Sequence, residues 1–371
     1  MSARADGLQQ DARFMALALV LGRRGLGRTW PNPAVGAVIV KDGVIVGRGW
    51  TQVGGRPHAE IEALRRAGEA ARGATLYVTL EPCSHYGKSP PCADAIVAAG
   101  LSRVVSGLED PNPEVAGAGH ALLRAAGIAV EVGVGAEAAR RDHAGHLRRM
   151  RDGRPHVILK LAVSADGKAG APGRKPLSIT GAAARDRVHL LRAQSDAIMV
   201  GIGTALADDP MLTCRLPGME KYSPVRIVLD SALRLPPASR LARSAREVPA
   251  WVIAGAEAPR AAEDALRREG VIVLRVAQRD GRLDLGAVLK LMAARGVTRL
   301  MVEGGPTLAA ALLAADLVDE AMLFRSPKVV GSDGVDALDG LPLTALTQSP
   351  RLKRVISEPV GADTRLVYER R

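Results

Sequence analysis

The sequence predicts an α/β protein built from two consecutive domains. Its 371 residues are enough for two or three domains, each large enough to bury its own core. In both halves, short runs rich in valine and isoleucine alternate with segments of helical apolar spacing, the pattern of a sheet covered by helices. We therefore predict a first domain over 1–145, a linker over 146–155 and a second domain over 156–371.

The first half predicts a layered α/β domain that opens with a helix over 11–24. Trp30-Pro31-Asn32-Pro33 breaks this helix. Lys41-Asp42-Gly43 between two valine-rich runs indicates a β-hairpin. The predicted elements that follow are a helix over 58–72, a strand over 75–79, a helix over 93–99, a strand over 103–107, and a helix and strand that end near Val134.

The second half predicts a mostly parallel sheet covered on both faces. The predicted strands are 156–163, 197–201, 226–230, 250–254 and 271–275, with a helix over 182–195. Later, Glu303-Gly304-Gly305-Pro306 reads as a tight turn between a strand and a helix that starts near Thr307. A phosphate or pyrophosphate often occupies such a position, although glycines also serve simply to sharpen a strand-to-helix turn. No GxGxxG follows a strand, so an ordinary Rossmann dinucleotide site is not supported.

Two short motifs in the first half predict a catalytic zinc site. His58-Ala59-Glu60 and the loop from Pro82 to Cys92 supply three metal ligands, His58, Cys83 and Cys92, and leave Glu60 free to move protons. Zinc deaminases carry HxE followed by PCxxC, with the glutamate as general acid/base. Here eight residues separate the two cysteines where that pattern has two. The alternative is that these three residues are unrelated. The third cysteine, Cys214, is interpreted as a small buried hydrophobe without a chemical role.

Composition favours a small anionic substrate over a nucleic acid. The net charge of +12 would suit RNA, but the arginines are scattered and aromatic residues make up only 2% of the chain, which leaves few platforms for stacking bases. We therefore expect a phosphorylated metabolite and a phosphorylated cofactor, with no nucleic-acid partner. No apolar run of membrane-spanning length occurs, so we expect a cytoplasmic protein without a membrane partner.

Four histidines outside the zinc motif are interpreted as structural. His143 and His146 are spaced i, i+3 and could share a metal, but an arginine-rich amphipathic linker helix explains them better. His120 and His189 fall in helical patterns and are predicted to lie on helix surfaces.

Over almost its whole length the sequence resembles the bifunctional riboflavin-biosynthesis family that joins a pyrimidine deaminase to a pyrimidine reductase. The family's longer gap between the two cysteines is the one found here. The resemblance implies a cytidine-deaminase-like first domain, a dihydrofolate-reductase-like second domain, NADPH as cofactor and, as we expect, a homo-oligomer. It is carried, in order, by NPAVGAVIV, HAE, TLEPCSHYGKSPPC, EDPNP, GRPHVILKLAVSADGK, LLRAQSDAIMVGIGTALADDPMLT and VEGGPTLAAALL.

For the first domain, the resemblance implies hydrolytic removal of the 2-amino group of 2,5-diamino-6-(5-phosphoribosylamino)pyrimidin-4-one. Zinc would lower the pKa of its water and Glu60 would shuttle the proton. The residues implied to line the pyrimidine and phosphate are Asn32, His85, Lys88 and Asn112.

For the second domain, it implies NADPH-dependent reduction of the product's ribosyl unit to ribityl. The implied NADPH contacts are Ala162, Ser178, Thr204, Asp208, Ser231, Gly305, Pro306 and Thr307. The implied substrate contacts are Lys160, Arg192, Met211, Arg215 and Glu303. One stretch departs from the family, which commonly places an aromatic residue where Ser178 stands, so cofactor contacts over 176–178 are in question.

Two other classes of function stay open at this point. One is a deaminase of a tRNA adenosine or free nucleobase whose second half is a binding module. The other is a scaffold that holds zinc without catalysis. Only the bifunctional interpretation predicts NADPH binding, and a scaffold would be insensitive to Glu60→Gln.

Overall fold

The chain folds into two compact units, Met1–Arg154 and Pro155–Arg371, in a computed structural model that describes residues 2–87, 89–174 and 177–371. Most of the segment predicted as a linker is helical and belongs to the first unit. Leu147 in this segment lies in that unit's hydrophobic core, which explains why the first unit extends beyond the predicted boundary at residue 145.

A five-stranded sheet forms the centre of the first unit. Its strands are β1 (Gly36–Lys41), β2 (Val44–Trp50), β3 (Thr75–Val78), β4 (Arg103–Ser106) and β5 (Ala129–Val132), in the order β2-β1-β3-β4-β5. Strand β1 is antiparallel to β2 and β3, whereas β3, β4 and β5 are parallel. The helices are α1 (Ser2–Gly22), α2 (Ala59–Ala67), α3 (Cys92–Ala98), α4 (Ala118–Ala125), α5 (Ala136–Asp142) and α6 (Ala144–Asp152).

Glycines let two helices approach this sheet closely. A Cβ atom at Gly36 would lie 1.8 Å from the carbonyl oxygen of Ala18 in α1, and one at Gly49 would lie 2.2 Å from that of Ala59 in α2. Only glycine fits at such separations. Because Ala59 follows His58 directly, the contact at Gly49 also fixes the start of α2 against β2.

A nine-stranded sheet forms the centre of the second unit. Its order is β11-β10-β9-β8-β14-β6-β15-β18-β17, and all neighbours from β11 to β15 are parallel, while β15, β18 and β17 pair antiparallel. These strands are β6 (His156–Val163), β8 (Ala197–Gly201), β9 (Val225–Leu229), β10 (Ala250–Gly255), β11 (Ile272–Val276), β14 (Arg299–Val302), β15 (Glu320–Arg325), β17 (Leu352–Val360) and β18 (Asp363–Arg370).

Two small ribbons and seven helices complete this unit as far as the structure describes it. The ribbons pair β7 (Lys168–Gly170) with β16 (Val335–Asp336), and β12 (Gln278–Arg279) with β13 (Arg282–Leu283). The helices are α7 (Ala182–Ala193), α8 (Ile202–Asp208), α9 (Arg240–Arg243), α10 (Arg260–Arg268), α11 (Leu285–Ala294), α12 (Pro306–Ala314) and α13 (Thr344–Thr347).

The central parallel strands are buried on both faces. Every residue of β9 and β10 is buried, as expected for a parallel sheet covered by helices. Among the helices of the described chain, none is both long and apolar enough to cross a membrane.

Candidate active sites

The three predicted zinc ligands converge at one edge of the first sheet. His58 is the N-cap residue of α2, Cys92 is the first residue of α3, and Cys83 lies in the loop after β3. The Nδ1 atom of His58 lies 3.6 Å from the Sγ atom of Cys83 and 3.3 Å from that of Cys92. All three ligand atoms lie within 4.8 Å of one another. One imidazole and two thiols at these separations fit a zinc ion with an open fourth position.

The surroundings favour the thiolate form that a metal requires at Cys83, whereas the hydrogen bond to Cys83 and burial raise the pKa of Cys92. The pKa of Cys83 falls to about 4, first because the Cys92 thiol donates a hydrogen bond to it and then because His58 supports the negative charge. The backbone N–H of Cys92 also donates to the Cys83 sulfur, at 3.3 Å. At the end of the long loop between the cysteines, both the thiol and the backbone N–H of Cys92 therefore point at the Cys83 sulfur.

Glu60 lies on the first turn of α2 beside this cluster. It is 3% exposed, and its Oε2 atom has no hydrogen-bond partner in the described part of the chain. Burial raises the pKa of Glu60 to about 7. A buried carboxyl with an unpaired oxygen next to a metal cluster is suited to exchanging a proton with a water or substrate bound there.

Asn32 approaches the other side of the His58 ring. Its Nδ2 atom donates to the carbonyl oxygen of Gly55 at 2.9 Å and lies 3.4 Å from His58 Nε2. Gly55 has a φ of +86°, and a Cβ atom there would lie within 2.8 Å of the Asn32 side chain. The structure thus brings Asn32 to the cluster, on a glycine that leaves room for it.

The remaining predicted contacts of the first unit lie on two loops. His85, in the cysteine loop, approaches Glu114 at 4.0 Å, and Asn112 accepts a hydrogen bond from the backbone N–H of Glu114. Lys88 lies outside the described residues. Arg56, which sequence reasoning missed, donates to Ser89 of the cysteine loop. The sequence feature that could have drawn attention to Arg56 is its position two residues before the HAE motif.

His120, which was predicted to lie on a helix surface, is buried, and so are His143 and His146, which were assigned to a linker helix. His120 is 1% exposed and lies 3.7 Å from Glu81, and His143 is 2% exposed and 3.0 Å from the Thr79 hydroxyl. His146 is also buried and bonds Asp110. The helical surface prediction was wrong for His120, because α4 turns that residue toward the fully buried Glu81 carboxylate.

A cavity of about 1020 Å³ lies in the second unit, at the carboxyl ends of its parallel strands. Nearly all the residues predicted to contact NADPH or substrate in this unit line it. They are Lys160, Ala162, Ser178, Arg192, Thr204, Asp208, Arg215, Ser231, Glu303, Gly305, Pro306 and Thr307. Met211 is not among the lining residues, and its carbonyl oxygen accepts a hydrogen bond from the buried Arg226.

Glu303 and Arg192 form an ion pair at the wall of this cavity. Arg192 donates to both carboxylate oxygens of Glu303, at 2.7 and 3.0 Å, and Lys160 lies 3.7 Å away. Burial opposes ionisation of Glu303, but Lys160 and Arg192 outweigh it and lower its pKa. The carboxylate therefore holds two cations in place in the cavity.

The cavity lining is strongly basic. Its acidic residues are Asp208 and Glu303, and its lysine and arginine residues are Lys160, Arg185, Arg192, Arg215, Arg234 and Arg282. His189 also lines the cavity rather than an open helix surface, and its Nδ1 atom accepts from the backbone N–H of Arg215. An excess of cations over carboxylates suits a ligand with several phosphate charges.

Ser178, where the sequence departs from the resembling family, is held by two cations. Arg185 donates to its hydroxyl at 3.2 Å, and Lys328 donates to its carbonyl oxygen at 3.0 Å. Of the stretch 176–178, Pro176 lies outside the described residues. On another wall, Gly305 is the N-cap of α12, and a Cβ atom there would lie 2.9 Å from the Thr204 hydroxyl.

Family models match both units. Residues 8–108 match the zinc-binding region of cytidine and deoxycytidylate deaminases, and residues 155–366 match the RibD C-terminal domain. These matches confirm the cytidine-deaminase-like first domain and identify the second as the reductase domain of RibD proteins.

Whole-chain relatives carry both domains in the same order. The riboflavin biosynthesis protein RibD of Escherichia coli is 44% identical over 95% of this chain and 98% of its own. The RibD structure from Acinetobacter baumannii has a TM-score of 0.86 at 37% identity, covering 98% of this chain and 99% of that one. A Thermotoga maritima structure, a diaminohydroxyphosphoribosylaminopyrimidine deaminase and 5-amino-6-(5-phosphoribosylamino)uracil reductase, has a TM-score of 0.85 at 34% identity and covers 98% of this chain and all of that one. The chain therefore belongs to the RibD family of bifunctional riboflavin-biosynthesis enzymes, which join a zinc-binding deaminase domain to a reductase domain.

Proposed function

We propose that this chain carries out the two reactions named for the Thermotoga maritima protein, one in each unit. The first unit would deaminate the 2,5-diamino-6-(5-phosphoribosylamino)pyrimidin-4-one, and the second would reduce the resulting uracil with NADPH. The observation that supports the proposal most is the cluster of His58, Cys83 and Cys92, with the unpaired oxygen of the buried Glu60 beside it.

In the deaminase, His58, Cys83 and Cys92 would hold zinc. The zinc ion, when bound, supplies a water molecule of lowered pKa. Glu60 would take one proton from the attacking water and give it to the ring nitrogen, and would then take the second proton from the same oxygen and give it to the amine, which leaves as ammonia. A pKa of about 7 suits both steps, because the group can accept and release a proton near neutral pH.

Binding of the pyrimidine in the first unit would involve Asn32, His85, Lys88 and Asn112. Asn32 lies beside His58, and its amide offers a donor and an acceptor to the edge of the ring. His85 and Asn112 lie on the two adjoining loops, where they can contact the ribose phosphate. Ammonia leaves as the second product.

In the reductase, the task of the protein is to position two ligands. When bound, NADPH would supply a hydride to the sugar C1 as the bond between C1 and the ring oxygen breaks, and a proton from solvent would go to that oxygen, which gives the open ribityl chain. Arg192 and Arg215 would hold the substrate phosphate with forked donors, while Glu303 orients Arg192 and Lys160. The turn from Gly305 to Thr307, with Thr204, Asp208, Ser231, Ala162 and Ser178, would contact the cofactor.

The support for NADPH in this unit is the basic cavity and the start of α12. The first turn of this helix adjoins the cavity and its N-cap residue, Gly305, offers no side-chain cap, so a phosphate group is a favourable occupant there. Six lysine and arginine side chains against two carboxylates leave a positive excess for the remaining phosphate charges of cofactor and substrate.

A coupled assay of the zinc-loaded full chain tests the proposal. The diaminopyrimidine ribosylamine phosphate and NADPH are supplied together, and ammonia release and NADPH oxidation are followed in one sample. We expect both signals, with oxidation lagging behind ammonia. Ammonia without oxidation would contradict the reductase half, and the absence of both signals would contradict the proposal as a whole.

A further inference from the structure

The residues that follow β4 form a loop at the zinc site, and a buried hydrogen-bond network holds it there. The loop runs over 110–117 and includes Asn112. Its backbone N–H groups at Asp110 and Gly117 donate to one carboxylate oxygen of Glu81, at 3.1 and 3.0 Å. Glu81 lies two residues before Cys83, so its buried carboxylate ties the loop to the chain segment that leads into the cysteine ligand.

Two further contacts place this loop against the metal-binding loop. A Cβ atom at Gly119 would lie 2.1 Å from the carbonyl oxygen of Pro82, so the start of α4 passes directly under the cysteine loop. His85 and Glu114 approach each other at 4.0 Å across the two loops. A displacement of the 110–117 loop would therefore move groups next to the substrate position.

Asp110 connects this loop to α6, the last helix of the unit. Its Oδ1 atom accepts from His146 Nε2 at 2.8 Å and from the backbone N–H of Asn112 at 2.9 Å. Both side chains are less than 9% exposed. His146 Nδ1 has no hydrogen-bond partner among the described residues, so the ring's recorded polar contact is the one with Asp110.

We propose that His146 is a positioning residue for the deaminase, acting through Asp110 on the loop that carries Asn112. The donor at Nε2 fixes the Asp110 carboxylate, which in turn holds the Asn112 backbone and thereby sets where the Asn112 side chain meets substrate. The inference rests on the proposed deaminase function. It assigns His146 no contact with the reacting atoms.

The test compares His146→Leu with His146→Gln in the zinc-loaded full chain. Leucine removes the donor and leaves the buried Asp110 short of a partner, whereas the glutamine amide can reach the same carboxylate. We expect His146→Leu to raise the KM for deamination about tenfold with kcat and zinc content little changed, the effect of losing one hydrogen bond to a charged group. His146→Gln should restore KM to within about threefold of the wild type.

His143→Leu is the matched control. His143 is equally buried next to the start of α6, but it bonds the Thr79 hydroxyl instead of the loop. We expect it to lower stability without raising KM. Equal KM increases in both leucine variants, or an unchanged KM in His146→Leu, would overturn the proposal.

Amide hydrogen exchange gives a readout that does not depend on the substrate. Peptides that cover 109–120 should exchange faster in His146→Leu than in His143→Leu, because only the first loses the link to Asp110. If the wild-type chain fails to deaminate the pyrimidine, the proposed function fails. If it deaminates normally and the loop exchanges alike in both variants, the role of His146 fails alone.

Discussion

At the scale of single residues, replacing Glu60 should nearly abolish deamination and leave reduction intact. Glu60→Gln keeps the size of the side chain and removes its capacity to exchange a proton. We expect ammonia release to fall by about 10²–10⁴-fold, the usual contribution of a general acid/base. Reduction of the pre-deaminated uracil should be unchanged, because every lining residue of the second cavity lies within Pro155–Arg371.

Zinc content is the control for Glu60→Gln. The variant leaves His58, Cys83 and Cys92 in place, so the metal-to-protein ratio should equal that of the wild type. Full ammonia release with zinc present would show that another group moves the proton. Loss of both activities would show that the two units do not act independently.

Arg192 is the corresponding residue of the second unit. Its two hydrogen bonds to Glu303 fix the guanidinium plane at the cavity wall. Arg192→Ala removes a bidentate cation and leaves Glu303 with Lys160 alone, so kcat/KM for reduction should fall about 100-fold. Steady-state kinetics with the pre-deaminated substrate measure this, and an unchanged kcat/KM would exclude Arg192 from the substrate site.

The sequence was enough to group the three residues of the metal cluster, because metal binding restricts which residue types occur together. It was not enough where the position of a side chain depends on packing between distant segments. A histidine and two cysteines around a proline-flanked loop could be identified as one cluster, because few other arrangements use those residues together. His120 was placed on a helix surface wrongly and Arg226 was given no role, since neither their burial nor their partners have a local signature in the sequence. Arg226 is completely buried in β9 and bonds the Ser244 hydroxyl and two backbone carbonyls of a distant segment.

At the scale of elements, an ion pair with a buried carboxylate attaches α1 to the first sheet. Arg103 of β4 donates to both oxygens of Asp11 at 2.8 and 2.7 Å, and the Tyr77 hydroxyl of β3 donates to the same carboxylate at 2.7 Å. The Arg103 hydrogen bond, despite the opposing effect of burial, lowers the pKa of Asp11. The ionised form is therefore favoured by folding, and its contribution to stability is present above the unfolded pKa.

Replacing this aspartate should cost stability in a pH-dependent way. We expect Asp11→Asn to lower the free energy of unfolding of the first unit by about 1–3 kcal/mol at pH 7. The difference from wild type should shrink as the pH falls from about 4 through the lowered pKa of folded Asp11. Urea unfolding followed by hydrogen exchange of first-unit peptides measures it.

Glu137→Gln is a suitable control for the Asp11 variant. Glu137 pairs with Arg141 on the solvent side of α5, where both side chains are at least half exposed. Its loss should change stability by less than about 0.5 kcal/mol at any pH. A destabilisation as large as that of Asp11→Asn would argue against a specific role for the buried pair.

Element prediction was most accurate for the parallel strands of the second unit. Short, uniformly apolar runs such as 197–201 are typical of strands buried on both faces, and the observed β8 has those bounds. Helix ends were less predictable: the helix predicted over 58–72 stops as an α-helix at Ala67, where Gly68 adopts a φ of +52°. A glycine can end a helix at its first opportunity, and the sequence alone does not tell which glycine does so.

At the scale of the whole molecule, the two candidate sites lie in different units. The zinc cluster and Glu60 lie within Met1–Arg154, and the basic cavity lies within Pro155–Arg371. Family membership explains why both are on one chain, since the product of the first reaction is the substrate of the second. It does not follow that the intermediate must stay bound between the two steps.

Mixing two variants that each lack one of the two activities tests whether that intermediate is released. Glu60→Gln should only reduce and Arg192→Ala should only deaminate, so neither alone converts the diaminopyrimidine to the ribityl product at a useful rate. Because the zinc cluster and the basic cavity lie in separate units, we expect a mixture of the two variants to oxidise NADPH after a lag that shortens as the concentration of Arg192→Ala rises. Ammonia release without NADPH oxidation in the mixture would contradict this, provided that Glu60→Gln still reduces added uracil intermediate. That result would mean that the intermediate passes between the sites without entering solution. Joining the two domains on one chain would then be needed for its transfer.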